Sequence, residues 1–155
     1  MTRGDSPGTP GGQLQRLEVR KVVRASPERL FSAWTNPDQL RRWWGPIGAT
    51  CPSAEVDLRV GGRYRIENRF PDGKTIWIVG EFEVVAPPHK LVYTWRLDPG
   101  PARTERVMVS FEPQDDGTEV VVVHERISDT ATREQHGQSW LGCLDGLAEY
   151  LQGAR

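Results

Sequence analysis

Between about Ala54 and Ile127 the hydrophobic pattern repeats every second residue, and turn-forming residues interrupt it at short intervals. A period of two is the signature of half-buried strands, and clusters of Gly, Pro and Asp close them into hairpins. The interruptions are Gly61-Gly62, Pro71-Asp72-Gly73, Pro87-Pro88, Pro99-Gly100-Pro101 and Asp115-Asp116-Gly117. They divide the segment into predicted strands at 54–58, 62–70, 75–86, 90–98, 104–113 and 117–127. Connections this short join antiparallel neighbours, so the six strands form a meander.

Helical spacing flanks the meander. Leu14, Leu17, Val19 and Val22 suggest a first strand with imperfect alternation. Ser26 is placed to cap a helix whose first position is Pro27, and Leu30, Phe31 and Trp34 follow at helical intervals. A second short helix starts at Asn36, with Gln39 placed to close a capping box, and Gly45-Pro46 stops it. Its stripe is Leu40, Trp43 and Trp44. Consecutive helical residues diverge by about 100°, so one of the paired indoles is expected to pack inward. The other is expected under the 46–52 loop or at a cavity mouth.

The last segment, from Thr130 to Gln152, carries Trp140, Leu144, Leu147, Ala148 and Leu151 on one helical stripe. Asp129 or Thr130 caps its start and Gly153 ends it. The expected class is therefore α+β. One long C-terminal helix covers a curved seven-stranded antiparallel sheet, with two short helices after the first strand. A sheet gripping one helix leaves a cleft between them. Residues 1–13, rich in Gly, Pro and Ser, read as a disordered tail, and 14–153 as a single domain.

Composition removes several function classes. No apolar run approaches the roughly 18 residues of a membrane helix. A net charge of −1 over 155 residues argues against nucleic acid as a partner. No charged-then-apolar leader opens the sequence, so the expectation is a cytoplasmic protein. His89, His124, His136, Cys51 and Cys143 lack zinc-type spacing, so no metal is expected. No nucleophile elbow occurs, and Gly61-Gly62-Arg63 is a turn rather than a phosphate loop. No cofactor and no catalytic residue is assigned.

Six tryptophans, Trp34, Trp43, Trp44, Trp77, Trp95 and Trp140, must pack a core, line a cavity or face a partner. On the fifth strand Leu91, Tyr93 and Trp95 share the apolar face, and on the last strand Val120, Val122, His124 and Arg126 share a face. The candidate ligand-binding set is Trp34, Trp44, Trp77, Glu81, Tyr93, Trp95, Met108, His124 and Trp140. The aromatic rings supply walls for a small hydrophobic molecule, aromatic or lipid-like. His124 and Glu81 supply orienting polar groups. As a base, His124 requires a carboxylate partner, for which Glu81 and Glu67 are the candidates.

The run from Val22 through Ser26-Pro27-Glu28-Arg29-Leu30-Phe31 to Arg42-Trp43-Trp44-Gly45-Pro46 resembles the opening of one family. It is the family of activator of Hsp90 ATPase homologues, within the START/Bet v 1-like helix-grip superfamily. Gly61-Gly62-Arg63-Tyr64, Gly80-Glu81-Phe82, Lys90-Leu91-Val92-Tyr93-Thr94-Trp95, His124-Glu125 and Trp140-Leu141 through Leu151 extend the resemblance over about residues 15–152. The family commonly has Gly directly before that last Trp, where this chain has Ser139. The resemblance implies a β-α-α-β-β-β-β-β-β-α order. It also favours 120, 122 and 124 facing inward. The superfamily includes ligand carriers, cyclases, a self-sacrificing resistance protein and co-chaperone domains. Ligand binding is therefore the first expectation. An Hsp90-type chaperone partner is the second, and a cyclase- or hydrolase-type enzyme on an aromatic substrate the third, in a monomer or homodimer.

Overall fold

The computed structural model describes residues 14–45 and 48–153, so the tail expected at 1–13 lies outside the described residues. The elements run β1 (Gln15–Val23), α1 (Pro27–Thr35), α2 (Pro37–Trp43), β2 (Ala54–Val56), β3 (Arg63–Arg69), β4 (Thr75–Ala86), β5 (Lys90–Asp98), β6 (Glu105–Gln114), β7 (Gly117–Ile127) and α3 (Thr130–Ala148). A π-helical turn over Glu149–Gly153 ends the last helix. The seven strands form one antiparallel sheet in the order β1-β7-β6-β5-β4-β3-β2. The six-strand meander is thus continuous, and β1 closes onto its last strand. Helix α3 lies over the face to which Leu17, Val19, Val107, Val109, Val120 and Val122 contribute buried side chains.

The helix caps follow the sequence. Ser26 Oγ accepts from the Arg29 amide at 3.1 Å, Asn36 Oδ1 from the Asp38 amide at 2.9 Å, and Asp129 Oδ1 from the Thr132 amide at 2.7 Å. Each supplies an acceptor to an otherwise orphaned N–H of the first turn. The capping box expected from Gln39 does not form. Asn36 also terminates α1, and its amide already donates to the Ser32 carbonyl at 2.9 Å. Gln39 instead donates to Ser32 Oγ at 2.9 Å and accepts from the Tyr150 hydroxyl at 3.2 Å.

Trp43 and Trp44 are both buried, where the sequence expected one inward and the other under a loop or at a cavity mouth. Helix α2 ends at Trp43, and Trp44 is its extended C-cap with φ −69° and ψ 137°. The 100° divergence of helical neighbours therefore does not apply at this pair. Trp43 Nε1 donates to the Ala33 carbonyl at 2.8 Å and Trp44 Nε1 to Asn68 Oδ1 at 3.0 Å. Trp34 stacks on Trp140, with an interplanar angle of 16° and centroids 6.0 Å apart. Trp44 meets Trp140 edge-on at 5.6 Å.

An irregularity between β1 and β7 sets up the site. The register passes from Leu17↔His124 to Gln15↔Ile127, so β7 uses one extra residue there. Arg126 takes a positive φ of 67° within it. The bulge re-phases the strand: His124 and Ile127 lie three residues apart, yet both are fully buried. Arg126, expected on the His124 face, turns out to solvent instead.

Candidate functional site

A cavity of about 520 Å³ lies between the β3–β5 half of the sheet and the middle of α3. Ile76 and Ile78 of β4, Trp95 and Leu97 of β5, and Phe70 form its apolar floor. Trp44 contributes from the end of α2, and His136, Ser139, Trp140 and Cys143 from α3. The strands present these residues because Ile66 pairs with Ile78 and Trp95 with Glu105, which places the alternate residues of β4 and β5 beneath the helix. Burial pushes the Cys143 thiol up to about 12, so it remains protonated in the wall.

The residues proposed from sequence are distributed over three regions. Trp44, Trp95 and Trp140 line the large cavity. Trp34 and Tyr93 lie deeper, around a void of only about 20 Å³, where Trp34 Nε1 donates to the Tyr93 hydroxyl at 3.2 Å. Burial pushes the Tyr93 phenol well above its ordinary value. Trp77, Glu81 and Met108 occupy the opposite face of the sheet, which corrects their assignment to a ligand wall. Trp77 flanks the covered residue Ile78 and lies 4.2 Å beneath the Arg65 guanidinium. Glu81 is exposed and faces Arg63 at 3.9 Å. Met108 pairs with Val92 and Val123, while its neighbours Val107 and Val109 are fully buried on the covered face.

His124 points to the covered side, but it does not reach the cavity wall. Its Nδ1 accepts from Trp140 Nε1 at 2.9 Å, and its Nε2 lies 2.7 Å from Glu105 Oε1. An indole N–H only donates, so Nδ1 holds a lone pair and Nε2 holds the proton. Burial pushes the imidazole below its ordinary range, against the pull of the Glu105 hydrogen bond. His124 is thus a neutral, fully engaged ring. The carboxylate partner is Glu105 rather than Glu81 or Glu67. Glu67 packs with Thr75 and Arg69 at 3.4 and 3.0 Å.

The same Glu105 oxygen accepts from His136 Nε2 at 2.9 Å. Burial alone would raise the Glu105 carboxyl, but the bonds from His124 and His136 outweigh it and bring it down to about 2. Both imidazoles are held by packing as well. They stack at 4.6 Å and 25°, and Trp95 meets each edge-on at 4.7 and 4.9 Å. His136 stands at the wall of the large cavity and also borders a smaller one of about 80 Å³, to which Glu105 contributes.

Glu105, His124 and His136 offer three metal-ligand atoms within 4.8 Å of one another. Their hydrogen bonding does not fit a cation. A metal-bound histidine normally donates its second N–H, whereas His124 Nδ1 receives one and leaves Nε2 protonated. The trio is a carboxylate gripping two imidazole N–H groups.

Nothing in the sequence pairs Glu105 with His136. Glu105 continues the covered stripe of Val107, Val109 and Phe111 by one step of two. His136 lies four residues before Trp140 on the stripe of α3. Both signals are present in the periodicity, yet the pairing depends on β6 and α3 meeting across 31 residues of chain.

A seven-stranded antiparallel sheet gripping one long C-terminal helix over a side cavity defines a protein of the helix-grip class. The chain belongs to the activator of Hsp90 ATPase homolog 1-like family, whose profile matches residues 24–152. It is similar to protein CV1439 from Chromobacterium violaceum, at 28% identity and TM-score 0.80, covering 87% of this chain and 95% of that one. An AHSA1 protein from Silicibacter pomeroyi superposes with TM-score 0.80 at 25% identity, covering 89% and 98%. An AHSA1-like protein from Aeromonas hydrophila does so with TM-score 0.73 at 27% identity, covering 90% and 93%. No curated protein matches the chain. Among the described residues, no helix is long and apolar enough to cross a membrane.

Proposed function

We propose that the chain binds a small, flat, largely apolar molecule between β3–β5 and α3. The observation that carries this reading is the cavity of about 520 Å³, walled by Trp44, Trp95 and Trp140 with few polar groups. That volume falls within the usual range of small-molecule sites, and aromatic walls suit flat ligands. Cytoplasmic location and a monomeric or homodimeric state accompany the reading.

The test is a titration with polycyclic aromatics and medium-chain fatty acids, followed by intrinsic tryptophan fluorescence and thermal unfolding. Binding quenches or shifts the emission of the wall indoles and raises Tm by mass action. Ser139→Phe projects a ring into the cavity and abolishes both responses. Trp77→Leu, on the far face, leaves the affinity unchanged. If no compound in either class changes emission or Tm, the reading is wrong.

A chaperone contact is the second reading, and the family description carries it. Stimulation of an Hsp90-type ATPase in a mixed assay supports it. A flat rate at saturating protein removes it.

A further inference from the structure

The buried histidine cluster leaves one nitrogen uncommitted. Of the four imidazole nitrogens of His124 and His136, three are engaged: His124 Nδ1 with Trp140, and both Nε2 atoms with Glu105. For the fourth, His136 Nδ1, no hydrogen bond is found among the described residues. The two nitrogens of an imidazole point in divergent directions, so giving Nε2 to Glu105 turns Nδ1 away from it. With the ring neutral, ionised Glu105 keeps the proton on Nε2 and makes Nδ1 an acceptor. The ring is tightly packed: its side chain is only 11% exposed and it lies between His124 and Trp95.

The other polar groups of the wall are less suited to this task. Asn68 accepts from Trp44 and donates to the Ile76 carbonyl at 3.2 Å, so both ends are occupied. Gln135 and Gln138 are exposed at the rim. Ser139 carries a rotatable hydroxyl that donates as readily as it accepts, so it sets no preference. Trp95 Nε1 lacks an acceptor but is closed off from the surface, so it takes no ligand group. His136 Nδ1 is left as the fixed acceptor of the wall, and a hydroxyl is a simple donor to it.

We propose that His136 is the specificity residue of the cavity, its Nδ1 accepting a hydrogen bond from the hydroxyl of a flat phenolic ligand. This rests on the cavity-binding reading above and narrows it to a ligand class. A rigid acceptor in an apolar wall rejects an analogue that lacks the donor, because the acceptor then loses its water without gaining a partner.

The experiment compares 2-naphthol with 2-methoxynaphthalene, two probes of the same ring that differ in the donor. Affinities are measured by fluorescence titration at mildly alkaline pH, where the naphthol is still protonated. The native protein is expected to bind naphthol about five- to tenfold more tightly than its ether. In His136→Phe the two affinities converge, with ether binding retained. A second measurement uses the native protein alone: the His136 Nδ1 nitrogen resonance moves upfield with naphthol and stays in place with the ether. Equal binding of the two probes by the native chain overturns the proposal, as does discrimination that survives in His136→Phe or an unmoved Nδ1 resonance. Failure of both probes to bind the native chain overturns the proposal, and the cavity reading falls as well only when the wider titration with polycyclic aromatics and fatty acids is also silent.

Discussion

The indole N–H of Trp140 donates to Nδ1 of His124 at 2.9 Å, and together with ionised Glu105 at Nε2 it fixes the proton position of that ring. It assigns the His124 proton to Nε2, which then points at Glu105. Replacing Trp140 by Phe keeps an aromatic ring against Trp34 but leaves a buried acceptor without a donor. The expected loss is about 1–3 kcal/mol of stability, read from urea unfolding. In the histidine nitrogen spectrum, His124 should keep its Nε2–H tautomer, because ionised Glu105 still accepts from Nε2, while its Nδ1 resonance moves downfield as it loses its donor. An unmoved Nδ1 resonance would show that the Trp140 bond is absent in solution.

Acid should destabilise the fold through the same cluster. The Glu105 carboxyl is held at about 2 in the folded chain against an ordinary value of 4.5. Its stabilisation is therefore complete above about 4.5 and is lost as the pH falls toward 2. Buried His124 is depressed from 6.5, so an unfolded chain takes up its proton first as the pH drops below that value. In both windows the unfolded state binds more protons, and stability rises with pH. Glu105→Gln should cost about 3 kcal/mol near neutrality, a difference that shrinks toward zero as pH approaches 2. A difference independent of pH would separate the effect from the charge of Glu105.

Gly80 occupies a position that excludes any side chain. A Cβ there would sit 2.0 Å from the Thr94 carbonyl oxygen, the atom that accepts the Tyr64 hydroxyl at 2.6 Å. Gly80→Ala must push the two strands apart beside the cavity floor, and a loss of about 2 kcal/mol or more is expected. Gly137 on α3 is the contrast, because nothing lies within 4 Å of the place an added methyl group would take. Gly137→Ala should stabilise by about 0.5–1 kcal/mol. Thermal unfolding of the two variants should move in opposite directions.

Both thiols should be inert in the native state. Burial pushes Cys51 to about 11 and Cys143 to about 12, and neither is exposed. Labelling by a disulfide reagent at mildly alkaline pH should follow the unfolding rate, not the reagent concentration. Fast labelling of Cys143 in folded protein would mean that the cavity opens wide enough to admit the reagent and ionise the thiol.

The alternation between Ala54 and Ile127 and the turn residues between its runs were enough to define the strands and their antiparallel pairing, and the stripe from Thr130 to Gln152 defined the covering helix. Observed strand limits differ from those expected by at most two residues at either end. These features are legible because they are local: a period of two or 3.6, a Pro at the first helical position, a Ser or Asp that caps. The caps at Ser26, Asn36 and Asp129 are satisfied within three residues of themselves.

The choice of face was a different matter. Trp77 and Ile78, or Met108 and Val107, are both apolar, so alternation alone does not say which member of each pair lies beneath α3. The register of β3 with β4 and of β5 with β6 decided it, and left Trp77, Glu81 and Met108 outside. The bulge at Arg126 shifted the phase of β7 in a way no composition signals. By itself, then, the sequence determined the architecture, while the covered side of five of the six indoles emerged only with the fold. Only the tertiary structure joined Glu105 to His124 and His136. That contact is a buried ion–dipole arrangement between β6, β7 and α3, whose hydrogen bonds exist only once distant segments exclude water together.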